Sequence, residues 1–230
     1  MQGYAPSSDE ERLKTELITN VSHDLKTPLT SIINYTKLLS ELENLPEEAK
    51  DYIAIIDKKS HRLKVLTQDL FDISKAQSGN DEIVMQKLNV ETLLSQSLAE
   101  YEKEMEHLVV CLKIEDGLYI HSDGRKMSRV INNLLTNMIK YAMPNTRVFI
   151  YAYSHENKAV IEMKNISAYP LDFDKEEIVQ RFKRGDESRS EEGNGLGLAI
   201  VKSYVELTGG KFDIILDGDM FKTLIEYEIK

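Results

Sequence analysis

The stretch NVSHDLKTPLT, residues 20–30, places a histidine, an aspartate and a threonine just ahead of a proline. An imidazole with a pKa near 6.5 is a good nucleophile at neutral pH, and a neighbouring carboxylate can hold its tautomer and take its proton. Thr27 follows His23 by four residues, which places both on one face of a helix with Asp24 beside them. This spacing predicts a nucleophilic site on an exposed helix face.

The alternative is an ordinary solvated surface, which is the better interpretation of a lone exposed histidine. Pro28 argues against it, because a proline inside a helix removes a backbone hydrogen bond and costs about 3 kcal/mol. A bend one turn beyond His23 needs a compensating use. Access of a reactant to the imidazole is such a use.

A second group of residues lies in the C-terminal half, in the stretch GNGLGLAIVK. Gly193, Gly195 and Gly197 precede and open a predicted helix, so that backbone amides at its N-terminus are free to bind an anion. Such a loop is a weak signal by itself, because glycines also cap helices and allow close packing.

An upstream helix carries the residues that strengthen this signal. Asn133 and Asn137 are one turn apart, and Lys140 and Tyr141 follow on the next turn. Amide oxygens suit Mg²⁺, which takes the rest of its ligands from water and phosphates, and the lysine can neutralise phosphate charge. A plain polar helix face is the alternative. The glycines downstream make a phosphate-bearing ligand the better interpretation.

The first half of the chain reads as two long helices, predicted over residues 9–43 and 46–77. Apolar residues recur at three- and four-residue intervals in the first, and in a heptad-like seam in the second. One hairpin does not bury both stripes well. We therefore expect two copies to pair into a four-helix bundle. The stripes comprise Leu13, Leu17, Ile18, Val21, Leu25, Leu29, Ile32, Ile33, Leu38, Leu39 and Leu42, then Tyr52, Ile53, Ile56, Leu63, Leu66, Leu70 and Ile73.

The second half mixes helices and strands, which predicts an α/β sandwich. Residues 1–8 are expected to be a linker or cloning remnant, 9–77 the hairpin domain, 78–86 a linker and 87–230 the second domain. Helices are predicted at 90–106, 123–142 and 195–207, and strands at 108–114, 118–121, 147–153, 159–164, 211–216 and 221–229.

Composition narrows the class of protein. The 230 residues carry a net charge of −10 without a basic stripe, so we expect no nucleic-acid partner. The single cysteine, Cys111, excludes an internal disulfide and is expected to be a buried strand residue. No stretch is apolar enough to span a membrane, so this part is expected to be cytoplasmic. His61, His107, His121 and His155 have no metal-ligand spacing and receive no role.

Four motifs in one order resemble two-component sensor histidine kinases across nearly the whole chain. NVSHDLKTPLT resembles their phosphoacceptor box and NNLLTNMIKYA their asparagine box. QRFKRGD is similar to their phenylalanine box, and GNGLGL to their second glycine box. The resemblance implies a helical hairpin that forms a dimeric four-helix bundle. An α/β sandwich of the histidine-kinase, gyrase and Hsp90 ATPase type would follow it.

By this resemblance, ATP phosphorylates His23, which then passes the phosphoryl group to an aspartate of a response regulator. Asp24 would polarise the imidazole and act as base. Thr27 would orient water to hydrolyse the regulator's acyl phosphate, so a phosphatase activity is implied as well. The intact protein would be a homodimer anchored in a bacterial membrane upstream of this region.

The resemblance also assigns the nucleotide site. Asn137 would ligate Mg²⁺ with support from Asn133, Lys140 would contact phosphate, and Tyr141 would lie on the adenine side. Phe182 and Arg184 would belong to a lid. The glycine box would close over the phosphates and comprises Gly193, Gly195, Leu196, Gly197 and Leu198.

One motif departs from the family. Its first glycine box is Asp-x-Gly-x-Gly, whereas the corresponding stretch here is NISAY, residues 165–169. Asn165 can still accept from the adenine amino group, at a loss of charge assistance of about 1 kcal/mol. This leaves open a phosphatase or nucleotide-regulated scaffold with an impaired kinase step. An ATPase or serine kinase on the same sandwich is disfavoured by the hairpin that carries His23.

Overall fold

A computed structural model describes residues 25–42, 44–78, 82–171 and 196–229; residues 77 and 78 are described by their backbone alone. The chain divides into two compact units, Met1–Asp81 and Glu82–Lys230. The proposed domain limits remain predictions.

The N-terminal unit contains two helices, α1 (residues 25–40) and α2 (Glu47–Ser78). Between them Asn44 adopts a positive φ of 65°, a conformation that asparagine tolerates better than most residues. Pro46 starts the second helix, where its carbonyl accepts from the amides of Ala49 and Lys50 at 2.9 and 3.1 Å. The predicted helical hairpin is therefore present.

Burial divides each helix into two rows of residues. Leu29 and Thr36 are buried on α1, seven residues apart, and Ser60, Thr67 and Ser74 are buried on α2 at the same spacing. These inner rows are short and largely polar. The predicted apolar stripe is thus only partly buried within one chain, because Leu25, Leu39 and others remain exposed.

Six of the exposed apolar side chains form a regular set, which we call the exposed apolar row. All are more than two fifths exposed, and they recur every seven residues on each helix. The row consists of Leu25, Ile32 and Leu39 on α1, and Ile56, Leu63 and Leu70 on α2.

The C-terminal unit is a mixed α/β sandwich. Its elements are β1 (Met85–Asn89), α3 (Val90–Glu100), β2 (Val109–Ile114), β3 (Tyr119–Asp123), α4 (Gly124–Tyr141), β4 (Arg147–His155), β5 (Lys158–Ile166), α5 (Gly197–Leu207), β6 (Lys211–Asp217) and β7 (Met220–Glu228). Five strands form one sheet in the order β2-β4-β5-β7-β6, in which only β2 and β4 are parallel. Strands β1 and β3 form a separate antiparallel pair.

Helices and sheet share one core. Alternate residues of β4, namely Val148, Ile150 and Ala152, are buried, as the two-residue period of a strand requires. One polar network lies within this core, where the Tyr227 hydroxyl bonds Thr208 at 2.6 Å and Ser122 at 3.2 Å. The network ties β7 to the end of α5 and to β3.

The opposite face of the sheet is covered by its own side chains. The buried Glu162 carboxylate lies 3.1 Å from the Lys164 ammonium and 2.9 Å from the Lys222 ammonium. Lys164 also lies 5.2 Å from the ring centre of Phe149 and 5.0 Å from that of Tyr151, within cation–π range. Charge pairing and aromatic contacts thus stabilise a sheet face that alternates in the predicted way.

Three predictions need correction. Helix α3 ends at Glu100 rather than at residue 106, because the amide of Tyr101 bonds Leu98 and the chain turns through an acidic run. Strand β1 was not predicted and overlaps the linker expected at 78–86, because MQKLN lacks an apolar alternation and pairs only with distant β3. Cys111 is half-buried rather than buried, since β2 is an edge strand.

Candidate nucleotide and phosphoacceptor sites

Helix α4 carries four of the predicted nucleotide-binding residues, namely Asn133, Asn137, Lys140 and Tyr141, and Asp123 fixes its start. The Asp123 carboxylate accepts from the amides of Arg125 and Lys126 at 2.9 and 3.1 Å, and from Val84 at 2.8 Å. Burial by itself raises the pKa of Asp123, but these amides and the Lys126 charge outweigh it and lower the pKa overall. The cap is therefore a carboxylate at neutral pH.

The two asparagines differ in their hydrogen bonds. The side-chain amide of Asn133 donates to the carbonyl of Arg129 at 2.8 Å, which leaves its Oδ1 directed elsewhere. Asn137 is half-buried, and its side chain forms no hydrogen bond with any residue that the structure describes. A half-buried amide without a protein partner is suited to bind a ligand.

Gly197 brings the glycine stretch against Asn133. A Cβ built on Gly197 would lie 3.0 Å from Asn133 Oδ1, which is closer than side-chain packing normally allows. Glycine therefore permits α5 to start beside the asparagine helix. Leu196 provides no side-chain cap to α5, so the first amides of the helix are not satisfied by such a cap. Leu198 is buried and packs in the core, so its contribution is to position the turn.

Asn165 lies at the end of β5, where it pairs with Val148 and Phe221 and is buried. Its amide nitrogen donates to the carbonyl of Ile166 at 3.2 Å. This bond directs the side-chain nitrogen towards the protein backbone and leaves Oδ1 as the atom for a ligand donor. Asn165 can therefore act as a neutral hydrogen-bond acceptor.

The altered glycine box follows a path that needs no glycine. Within residues 166–169 no φ is positive, and the Ser167 hydroxyl donates to the carbonyl of Tyr169 at 2.7 Å while accepting from its amide at 3.1 Å. From the sequence, Ser167 replaces a glycine of the family's motif, which leaves open either a blocked backbone approach or a rerouted loop. The Ser-x-Tyr spacing, which allows a serine-stabilised turn, was the signal available for its role.

This segment is joined to the end of α4. The amide of Ala168 donates to the carbonyl of Tyr141 at 2.8 Å, and Ala142 bridges Ser167. Tyr141 is half-buried, and burial, with a smaller contribution from Tyr169, raises the pKa of its hydroxyl. The tyrosine is thus neutral at physiological pH. Lys140, one residue earlier, is exposed.

These contacts assemble much of the predicted nucleotide site. Asn133 meets Gly197, and the Asn165 segment meets Tyr141, while Asn137 lies between these two ends on α4. Four residues of the predicted nucleotide site lie outside the described residues, namely Phe182, Arg184, Gly193 and Gly195. Asn133, Asn137 and Gly197 carry no charge, so a polyphosphate bound beside them would bring its own cation.

The predicted phosphoacceptor site is described only in part. Thr27 is exposed on α1, whereas His23 and Asp24 lie outside the described residues. In the described part of the chain, no helix is long and apolar enough to cross a membrane. The same part holds no group of three or more His, Cys, Asp and Glu residues that could bind a metal.

Comparison with known families divides the chain in the same way. Residues 13–79 match the His Kinase A (phospho-acceptor) domain family. Residues 122–225 match the family of histidine kinase-, DNA gyrase B- and HSP90-like ATPases. The match of the second family begins just before the cap of α4 and includes α5.

Individual relatives cover most of the chain. It is 31% identical to the sensor protein VanS of Enterococcus faecium over 206 residues, which cover 87% of this chain and 53% of VanS. It is 29% identical to the sensor protein kinase WalK of Staphylococcus aureus over 208 residues, covering 87% of the chain and 50% of WalK. The chain therefore spans about half the length of these relatives.

Solved structures share the fold. The full-length ShkA structure, in complex with AMPPNP, gives a TM-score of 0.77 at 18% identity, covering 92% of this chain and 45% of ShkA. The Acinetobacter baumannii histidine kinase AdeS gives 0.63 at 16% identity, covering 90% of this chain and 98% of that chain.

Proposed function

The chain belongs to the two-component sensor histidine kinases, and on that premise we propose that it phosphorylates His23 with ATP and transfers the phosphoryl group to an aspartate of a response regulator. The observation that carries this proposal is the contact between Asn133 and Gly197, with Asn137 one turn further along α4. This contact brings the amide pair that would bind the cation next to the start of a helix, and this combination suits a nucleoside triphosphate.

The asparagines and the first turn of α5 would bind different parts of the Mg²⁺-polyphosphate. Asn137, supported by Asn133, would hold Mg²⁺, which supplies neutralisation of phosphate charge when bound. These residues fit a bound Mg²⁺, because Gly197 leaves open the space beside Asn133 Oδ1 that a Cβ would fill. The first amides of α5 would bind phosphate oxygens, and Lys140 would add a positive charge at the other end of the asparagine face.

Asn165 would recognise the base. Because the amide nitrogen of Asn165 donates to Ile166, its Oδ1 would be the atom that accepts from the exocyclic amino group of adenine. Guanine presents a carbonyl oxygen at that position, and two acceptors would repel each other. The substitution of asparagine for the family's aspartate therefore lowers charge assistance and keeps the preference for ATP. Tyr141 would lie beside the base with its hydroxyl neutral.

His23 would supply the nucleophile. A ring nitrogen would attack the γ-phosphorus while the bond to the bridging oxygen of ADP breaks, and Asp24 would take the proton from the other ring nitrogen. The phosphoryl group would then pass to a receiver aspartate. Thr27, which is exposed on α1, would orient water for the phosphatase reaction on that acyl phosphate.

The proposal also includes the binding partners of this chain and its location in the cell. Two hairpins would pair through the exposed apolar row into a four-helix bundle, and a receiver domain would dock near His23 and Thr27. We further propose that this region lies in the cytoplasm, where ATP is available, and that the intact protein is anchored in the membrane.

The test is a comparison of two asparagines on one helix. Asn137→Ala should weaken Mg-ATP binding, measured by calorimetry, and lower the initial rate of autophosphorylation, each by about tenfold or more, because a ligand for the cation is lost. Asn132→Ala is the matched control, since its amide donates to Glu100 on α3 instead. Equal effects of the two substitutions would contradict the proposed site.

A further inference from the structure

We propose that Tyr169 stacks its ring on the base of bound ATP, as a second tyrosine beside Tyr141. This inference rests on the proposed nucleotide site and adds a residue that the family's motif does not supply. The stretch NISAY stands where the motif is Asp-x-Gly-x-Gly, so Tyr169 takes the place of its last glycine. A glycine offers a ligand only its backbone, whereas tyrosine adds a flat apolar ring with a polar end.

The backbone places Tyr169 next to the residues that would bind the base. The amide of Ala168 donates to the carbonyl of Tyr141 at 2.8 Å, and Tyr169 follows directly on this contact. Asn165 lies only four residues earlier. The two tyrosine side chains also approach each other, because burial and, to a smaller extent, the charge of Tyr169 raise the pKa of the Tyr141 hydroxyl. Asn165 and both tyrosines therefore lie close together.

Ser167 holds the backbone of Tyr169 in one position. Ser167 is buried, and its hydroxyl donates to the carbonyl of Tyr169 at 2.7 Å and accepts from the amide of the same residue at 3.1 Å. No φ is positive within residues 166–169, so a tyrosine adopts this path without strain. The ring is therefore attached to an ordered turn, and ligand binding would cost little further backbone entropy.

The side chain of Tyr169 is open to a ligand. It is 53% exposed, and its hydroxyl forms no hydrogen bond with any residue that the structure describes. Tyr119, another exposed tyrosine of the same unit, differs because the Lys87 ammonium lies 4.3 Å from the centre of its ring. A ring that is fixed at its backbone and exposed at its face can pack against a flat aromatic ligand.

Stacking would offset what the site loses at Asn165. A neutral amide binds the exocyclic amino group of adenine more weakly than a carboxylate does. Stacking on an aromatic side chain strengthens binding of any base, because every base has a π face. Asn165 would thus select adenine, while Tyr169 would add affinity without selecting. Loss of the Tyr169 ring should therefore weaken binding of ATP and GTP alike.

The experiment uses the full chain and measures its binding to three Mg²⁺ complexes by calorimetry. The ligands are ATP, GTP and inorganic tripolyphosphate, which has no base. Tyr169→Ala should weaken binding of ATP and of GTP by the same factor, about tenfold, and leave binding of tripolyphosphate unchanged. Tyr169→Phe, which keeps the ring, should bind all three as the wild type does.

A spectroscopic test makes use of the absence of tryptophan from the sequence. Tyr169→Trp introduces a single indole, whose fluorescence should be quenched when Mg-ATP is added but not when Mg-tripolyphosphate is added, because only ATP carries a base to stack on it. Tyr119→Trp is the matched control on β3, where the tyrosine is 40% exposed. Its fluorescence should respond to neither ligand.

Three results would overturn this inference alone. They are ATP binding by Tyr169→Ala that is unchanged or tighter, equal losses of ATP and tripolyphosphate binding in that variant, and equal quenching of the two tryptophan variants by Mg-ATP. The second would assign Tyr169 to the shape of the whole site instead of to the base. If the wild type binds no Mg-ATP, the proposed nucleotide site fails, and this inference fails with it.

Discussion

Asp123 shows how one side chain fixes the position of a functional helix. Its carboxylate accepts from two amides of the first turn of α4 and from Val84. Any shift at this cap would move the asparagine face, which begins ten residues later. The residue has no place in the proposed chemistry, so its substitution separates stability from catalysis.

Asp123→Ala should lower the free energy of unfolding of the C-terminal unit by about 2 to 3 kcal/mol at pH 7, because charged hydrogen bonds to a cap are lost. Urea denaturation followed by amide signals of that unit measures the change. Asn89→Ala is the control, since Asn89 caps α3 through a single bond to Thr92 and should cost about 1 kcal/mol.

The pH dependence has a definite sign. The pKa of Asp123 is lowered in the folded state, so its contribution is fully present above the unfolded value near 3.9 and is lost as the pH falls towards the folded value. The stability difference between wild type and Asp123→Ala should therefore shrink below about pH 4. A constant difference from pH 7 to pH 3 would contradict this role.

For single residues, the sequence predicted which residues serve the site better than it predicted the contacts that they make. The spacing of Asn133 and Asn137 was sufficient to predict their shared helix face. The departure at Asn165 was visible, but its outcome was not, because the bond from its amide to Ile166 depends on the path of the chain after β5. The same holds for Ser167, whose hydroxyl replaces glycine freedom by a local turn.

At the scale of elements, the approach of α4 to α5 is the critical feature. Gly197→Ala should favour the helix slightly, since alanine has the higher helix propensity. Its Cβ would nevertheless displace Asn133 Oδ1, which lies 3.0 Å from that position. We expect Mg-ATP affinity to fall by about tenfold without loss of stability. Calorimetry of nucleotide binding and thermal denaturation measure the two quantities.

A double substitution identifies the cause. If the alanine acts by displacing Asn133, then adding Gly197→Ala to Asn133→Ala should weaken binding much less than it does in the wild type. Additive losses would show that Gly197 acts independently of Asn133, which would contradict the contact described here.

Elements with strong patterns were predicted well. The eight predicted strands and helices from β2 to β5 and from α5 to β7 carry long apolar runs or a clear period, and all are present. Strand β1 was missed because Met85–Asn89 is held by long-range pairing to β3 and not by local preference. The end of α3 was misplaced because its acidic continuation remains compatible with a helix until a turn intervenes.

For the whole molecule, the exposed apolar row indicates assembly. Leu63 is 48% exposed within one chain, as is the rest of its row to a similar degree. Leu63→Glu should therefore convert a dimer to a monomer in sedimentation equilibrium, because it places charge in the bundle core. Val65→Glu is the matched control, since Val65 is 50% exposed but lies on another face of α2.

The apolar pattern of the sequence does not show which residues pack within one chain and which are left for pairing with a second copy. The heptad stripe predicted a buried face without showing that Leu29 and Thr36 pack within the chain while Leu25 and Ile32 do not.

Dissociation of the dimer by both Leu63→Glu and Val65→Glu, or by neither, would contradict pairing through the exposed apolar row.

The most direct measurement is transfer of phosphate from ATP to His23. Purified chain is incubated with Mg-ATP labelled at the γ-phosphate, beside His23→Ala, and the label is tested for acid lability and base stability. We predict label on the wild type with the stability of a phosphohistidine, and none on His23→Ala, which should still bind Mg-ATP. Bound nucleotide without label on the wild type, or label that persists in His23→Ala, would contradict the account.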